Sequence, residues 1–377
     1  MGNFESLPVR SDLVGLKPYG APHLDVPVQL NVNENAYPIP DVVVESMRSA
    51  VDGHFAGLNR YPDREFEDLR GHLVSYLDGV NRRAGGAVDL SPEMIWAGNG
   101  SNEVLSHIVQ AFGGPGRTVL GFTPSYSMHP LIATGTGASW QSSARNDDFA
   151  LDADAVGAEV ADVDPDIVFL CTPNNPTGTS IGLDVIEAAY DNCSGIVIVD
   201  EAYAEFSRPA RPSAMTLLAG RPRLVVSRTM SKAFACAGLR LGYAIAAPEL
   251  IDVLRLVRLP YHLSDITQVL ACTALEHADV LLDNVDRLID SRDRISQHLR
   301  DVGFTVFPSD SNFVLFGNIS SPQTLWQRLL DRGILIRDIG ITHHARVNAG
   351  TEVETTAFLR AIDEILGEDP GILLPAG

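Results

Sequence analysis

Asp166-Ile167-Val168-Phe169-Leu170-Cys171 runs directly into Thr172-Pro173-Asn174-Asn175-Pro176-Thr177-Gly178, and this change from an unbroken apolar run to a polar, proline- and glycine-rich turn decides how the chain is read. Two further runs share the form. Gly195-Ile196-Val197-Ile198-Val199-Asp200 ends in Glu201-Ala202-Tyr203, and Arg223-Leu224-Val225-Val226-Ser227 leads to Arg228-Thr229-Met230-Ser231-Lys232. Each run is short and apolar on both faces, the pattern of central strands in a parallel sheet covered by helices on either side. Helical spacing flanks them, in Val185 to Tyr190 and in the stripe Val104, Leu105, Ile108, Val109 and Phe112. The alternation predicts a large α/β domain with a central, mostly parallel sheet.

Outward from that sheet the pattern changes twice. Residues 1–35 carry scattered prolines and little periodicity, ending in Leu30-Asn31-Val32-Asn33-Glu34-Asn35, and read as an extended N-terminal arm rather than a packed element. After Leu250 one long helical region through Arg300 is expected. Phe304-Thr305-Val306-Phe307 and Asn312-Phe313-Val314-Leu315-Phe316 follow as strands, with a last helix near Glu354 to Leu366. The expected division is an arm at 1–35, a large α/β domain at 36–260, a smaller α+β domain at 261–366 and a frayed tail at 367–377.

Composition agrees with a two-domain globular chain. The 377 residues are 45% apolar and 20% charged, with a mean hydropathy of +0.06, enough apolar material for large cores and too little charge for disorder. The formal net charge of -20 opposes a nucleic-acid backbone or an anionic membrane surface. No run of 18 apolar residues and no leader pattern occurs, so neither membrane spanning nor secretion is expected. Cys171, Cys193, Cys236 and Cys272 lie far apart without C-x-x-C spacing, which fits a reducing cytoplasm and neither a disulfide framework nor a metal site. Of the 28 Lys and Arg residues only Lys17 and Lys232 are lysines. A guanidinium stays protonated and cannot serve as an amine nucleophile, so a retained lysine merits a chemical reading.

In open α/β sheets ligands bind beyond the carboxyl ends of the strands. There the chain places an amide (Asn175), a carboxylate (Asp200), a phenol (Tyr203), a hydroxyl (Ser231), an amine (Lys232) and a guanidinium (Arg240). Pyridoxal phosphate needs this set: a lysine to hold its aldehyde as a Schiff base, a carboxylate to keep its ring nitrogen protonated, and cations, hydroxyls and N–H groups for its phosphate. Gly98-Asn99-Gly100-Ser101-Asn102-Glu103 reads either as an anion cradle at a helix N-terminus or as an ordinary strand-to-helix turn. The third glycine of a dinucleotide fingerprint is absent.

These residues resemble the fold-type I aminotransferases, and within them the histidinol-phosphate aminotransferases of the actinobacterial kind. The resemblance spans almost the whole chain through Pro18-Tyr19-Gly20-Ala21-Pro22, Asn31-Val32-Asn33-Glu34-Asn35, Tyr61-Pro62-Asp63, Gly98 to Glu103, Asn174 to Gly178, Asp200 to Tyr203 and Ser231-Lys232-Ala233-Phe234. Arg258-Leu259-Pro260-Tyr261-His262-Leu263-Ser264 and Gly333-Ile334-Leu335-Ile336-Arg337-Asp338 point to the narrower group.

The resemblance implies transamination of histidinol phosphate with 2-oxoglutarate, giving imidazole-acetol phosphate and glutamate. It implies that Lys232 binds the cofactor covalently and moves the α-proton, and that Asp200 pairs with the ring nitrogen. Asn175 and Tyr203 would bond the ring's phenolic oxygen, and Tyr126 would stack on the ring. Ser101, Asn102, Ser231, Arg240 and Tyr61 of a neighbouring subunit would hold the phosphate, which makes the protein a homodimer with shared sites. Tyr19, Arg337 and Arg346 would meet the substrate, although surface ion pairs or arm packing are the ordinary roles of such residues. Ala345-Arg346-Val347-Asn348 and Ala36 depart from the family's usual Leu-Arg-Val-Thr and proline. An aromatic amino acid aminotransferase, a decarboxylase of the same fold and a cofactor-binding regulator are the other readings.

Overall fold

The computed structural model describes residues 7–14, 20, 24–83, 88–207 and 211–375. A short strand β1 (Val28–Gln29) precedes helices α1 (Asp41–Asp52) and α2 (Glu67–Arg83). Strands and helices then alternate as β2 (Ile95–Gly98), α3 (Ser101–Phe112), β3 (Thr118–Thr123), α4 (Met128–Gly135), β4 (Ser139–Ala144), α5 (Ala153–Val163), β5 (Ile167–Cys171), α6 (Leu183–Asp191), β6 (Ile196–Asp200), β7 (Leu224–Thr229) and β8 (Gly242–Ala246). Helices α7 (Pro248–Val257), α8 (Asp265–Glu276) and α9 (Ala278–Asp301) lead to β9 (Thr305–Val306), β10 (Phe313–Gly317), α10 (Pro322–Leu330), β11 (Ile334–Leu335), β12 (Ala345–Asn348) and α11 (Glu352–Glu368).

Among the described residues the large sheet has seven strands in the order β2-β8-β7-β6-β5-β3-β4. All are parallel except β8, which runs against both neighbours. The apolar runs behave as their composition dictates: β5, β6, β7 and β8 are buried at every position. The edge strand β4 is serine-rich and largely exposed, as an unpaired edge requires. A smaller antiparallel sheet orders as β12-β10-β9, and β1 pairs in parallel with β11.

Two apolar clusters fill the molecule. The first surrounds the large sheet and takes Leu281, Val285, Leu288 and Ile289 from the first half of α9. The second takes Ile295 and Leu299 from its other half, with Phe316, Phe358 and Ile362 of the smaller unit.

Three expectations are corrected. The single helical region after Leu250 is three helices, because Pro260 removes a backbone donor and the Ser264 hydroxyl starts α8 by accepting from Thr267 N at 3.1 Å. The arm does not stay unpacked at its end: β1 pairs with β11 and Leu30 is buried in the second cluster. The tail is not frayed where it is described, since Ile372 is buried and Leu373 bridges to Ile319.

Candidate active site

Because β8 reverses and β2 reverses again beside it, the carboxyl ends of β2, β5, β6 and β7 open on one edge of the sheet. A cavity of about 370 Å³ lies there, with Lys232, Asp200, Asn175 and Tyr203 in its lining.

At one end the turn from β2 into α3 forms a cradle. Gly100 has φ +88°, and a Cβ at that position would stand 2.5 Å from Nη2 of Arg240. Gly242 on β8 leaves room in the same way, since a Cβ there would meet Ser101 N at 2.1 Å. The two glycines bring a guanidinium and a helix N-terminus together. With Gly100 as N-cap, α3 has no side-chain cap, so its first N–H groups and its dipole suit an anion. Ser231 Oγ accepts from Arg240 Nη1 at 3.5 Å. Glu103 braces the turn through Oε2, accepting from Asn99 N at 2.6 Å and Asn99 Nδ2 at 2.9 Å.

At the other end Asp200 is almost fully buried. Its Oδ2 lies 3.1 Å from His129 Nε2, and its Oδ1 accepts from Ser227 Oγ and Ala202 N, each at 3.2 Å. His129 is itself buried, stacked on Phe169 at 4.3 Å, with Tyr126 edge-on at 5.4 Å. Tyr126 donates to Asn102 Oδ1 at 3.3 Å and lines the cavity. The Tyr203 hydroxyl accepts from Asn33 Nδ2 at 2.8 Å and Asn175 Nδ2 at 3.4 Å. Burial pushes that phenol well above its ordinary value, against the pull of Arg346. It therefore stays neutral and keeps a proton to donate.

Lys232 donates from Nζ to Val32 O at 3.4 Å. Burial, then Arg346 and Arg240, bring its ammonium down to about 8, with Glu34 opposing. Arg346 gives Nη1 to Asn175 Oδ1 at 2.6 Å and Nη2 to Asn31 O at 2.9 Å, with its guanidinium 4.9 Å above the Phe313 ring.

Ten of the sequence-selected residues, Ser101, Asn102, Tyr126, Asn175, Asp200, Tyr203, Ser231, Lys232, Arg240 and Arg346, thus line one cavity. Tyr61 does not. It is 79% exposed and stacks on Tyr261 at 4.4 Å. Arg337 faces Arg346 through paired backbone hydrogen bonds of 2.9 and 3.0 Å and is not part of the lining. Tyr19 lies outside the described residues. The sequence reading gave no role to His129, three residues beyond Tyr126 and so on the same side of a helical turn, or to Asn33, whose only signal was its place in the Asn-rich arm motif. The donor set fits pyridoxal phosphate: a braced anion cradle, a buried carboxylate and a depressed lysine share one space.

Residues 26–362 match the family model of aminotransferase class I and II. The chain is similar to the histidinol-phosphate aminotransferase of Paenarthrobacter aurescens, 55% identical over 365 residues and covering 96% of each chain. It is 51% identical over 376 residues to that of Mycobacterium marinum, covering 99% of this chain and 97% of the relative. Among solved structures, the histidinol-phosphate aminotransferase from Sinorhizobium meliloti in complex with pyridoxal-5'-phosphate superposes with a TM-score of 0.80 at 25% identity, covering 91% of this chain and 92% of that one.

Proposed function

The chain belongs to the class I and II aminotransferases, and from that premise we propose that it transfers the amino group of L-histidinol phosphate to 2-oxoglutarate. The products are imidazole-acetol phosphate and glutamate, the carrier is pyridoxal 5'-phosphate, and the setting is histidine biosynthesis in a reducing cytoplasm. One observation carries this reading: the only lysine among the described residues shares a cavity with a buried carboxylate, between Arg240 at the cradle and Arg346 beside Asn175. The long, 51–55% identical relatives support the substrate.

When bound, the cofactor supplies a carbonyl that condenses with amines and a protonated ring that draws electron density from the carbon losing its proton. The N–H groups of Ser101 and Asn102, the Ser231 hydroxyl and Arg240 would offset the charge of its phosphate. Asp200 would accept from the ring N–H, and His129, 3.1 Å from its Oδ2, would hold that carboxylate in place. Tyr203 and Asn175 would donate to the phenolic oxygen. Lys232, whose ammonium is brought down to about 8, would be the group that holds the cofactor and, once released as a free amine, would move the donor's α-proton. Arg346, in the cavity lining, would receive the substrate phosphate or the carboxylate of 2-oxoglutarate, and Arg337 and Tyr19 are the further substrate contacts that the family resemblance implies.

The site is completed by Tyr61 from a second copy. In its own chain Tyr61 is outside the cavity lining and exposed, as are Phe55, Leu58, Leu256 and Leu259, apolar side chains of the kind that self-association covers.

The test is a set of half-reactions with the holoenzyme and one amino donor at a time, read by the cofactor's visible absorbance. Histidinol phosphate is expected to convert the band fastest. Conversion by phenylalanine but not by histidinol phosphate would overturn the substrate assignment.

A further inference from the structure

Side chains alternate along a strand, so Asp200 and Ser227 serve one face of the sheet while Glu201, just past the end of β6, and Arg228, the next residue on β7, serve the other. On that second face lies another cavity, of about 340 Å³. Val80 of α2, Leu183 and Ile186 of α6, and Leu282 and Val285 of α9 give it an apolar wall. Its polar side is a buried ion cluster. Arg228 donates Nε and Nη2 to Glu201 Oε2 at 3.0 and 2.7 Å, and Nη1 to Glu205 Oε1 at 3.3 Å. Glu201 also accepts from Ser213 Oγ at 2.6 Å and Ala214 N at 2.7 Å, and Glu205 Oε1 from the Tyr76 hydroxyl at 3.2 Å.

Two features of this cavity are incomplete. Two carboxylates share one guanidinium, and burial pushes the Glu205 carboxyl up against the pull of Arg228, a cost that a second cation would offset. Asn81, 3% exposed and in the cavity lining, has an Nδ2 with no partner among the described residues. A buried donor left unmet carries a desolvation penalty that an acceptor would relieve. At the rim Arg211 is already held by Asp310 at 2.7 Å.

We propose that this cavity binds a small apolar amine bearing a hydrogen-bond acceptor, with its ammonium beside Glu205, its acceptor on Asn81 Nδ2 and its carbon body against α2, α6 and α9. The volume suits a single-ring molecule. The proposal is independent of which amine is the substrate of the first cavity.

The probe is N,N-dimethyl-2-phenoxyethylamine, a tertiary amine that cannot condense with the cofactor's carbonyl, titrated calorimetrically into holoenzyme. Saturable binding with a Kd below about 1 mM is expected, unchanged by saturating 2-oxoglutarate. The uncharged analogue 2-phenoxyethanol, and the variants Glu205→Gln and Asn81→Leu, are each expected to bind at least about tenfold more weakly. Asn81→Leu lies outside the ion cluster and keeps the test open should Glu205→Gln fail to fold. No saturable heat up to about 10 mM, equal binding of the uncharged analogue, unchanged affinity in a folded variant, or displacement by 2-oxoglutarate would each overturn the site.

Discussion

Lys232 combines two features that a surface lysine does not have, a lowered ammonium pKa and a place in the lining of a cavity. Burial and two arginines supply the first, and the Val32 carbonyl steadies the second. Lys232→Ala is expected to abolish the cofactor's visible band and to cut transamination at least about a thousandfold, measured by absorbance and by product formation. The same lysine gives the cofactor-free protein a pH signature. Its folded value of about 8 lies below the ordinary 10.5. Under pH 8 the lysine is protonated in both folded and unfolded chains, and the fold bears the full cost of the buried charge. From 8 to 10.5 only the unfolded chain holds the proton, so stability rises with pH. Cofactor-free Lys232→Met is therefore expected to melt above the parent at pH 7, with the gap narrowing by pH 10 in thermal denaturation. A gap that stays constant would place the lysine's titration elsewhere.

The turn from β2 into α3 shows how an element, rather than a residue, makes an anion site. Gly100→Ala puts a Cβ at φ +88°, ψ 161° and against the Arg240 guanidinium, costing about 1–3 kcal/mol of backbone strain and moving the arginine off the cradle. Cofactor affinity is expected to fall roughly tenfold or more in an absorbance titration, and Arg240→Ala in the same chain is expected to add less than its own separate loss, because both act on one contact. The central strands β5, β6 and β7 were legible in the sequence because they are apolar on both faces, and the residues after them were legible as a site because ligands gather at strand ends. The breaks at Arg258 to Ser264 and at His277 were not, since apolar periodicity continues through them and only a proline, a cap and one non-helical residue separate the helices. His129 was hidden for a related reason. It acts through Asp200 from an ordinary helical position, and pairs formed across the sheet leave no local spacing to read. Glu201 and Arg228 were quoted only as parts of motifs, and their pairing depends on strand register.

At the scale of the whole molecule, a chain of net charge -20 must gather anionic ligands against its own field. Residues 223–260 carry Arg223, Arg228, Lys232, Arg240, Arg255 and Arg258 against Glu249 and Asp252, so positive charge is concentrated in the segment that builds the cradle. Arg228 is spent on Glu201, which leaves Arg240 and Lys232 of this segment facing the cavity, with Arg346 from β12. On the proposed reading, Tyr61 of a second copy would add a further phosphate donor to these three cations. The arrangement predicts complementation between chains. Lys232→Ala lacks the amine but still offers a sound Tyr61, and Tyr61→Ala lacks the phenol but keeps a sound lysine. Each alone is expected to be inactive or cofactor-poor. Unfolded together and refolded at equal amounts, half the dimers are mixed and each mixed dimer holds one complete site, so activity is expected to return to about a quarter of the parent's. Activity of the mixture no higher than the sum of the separate variants would show that Tyr61 serves its own chain, and the shared site would fall with it.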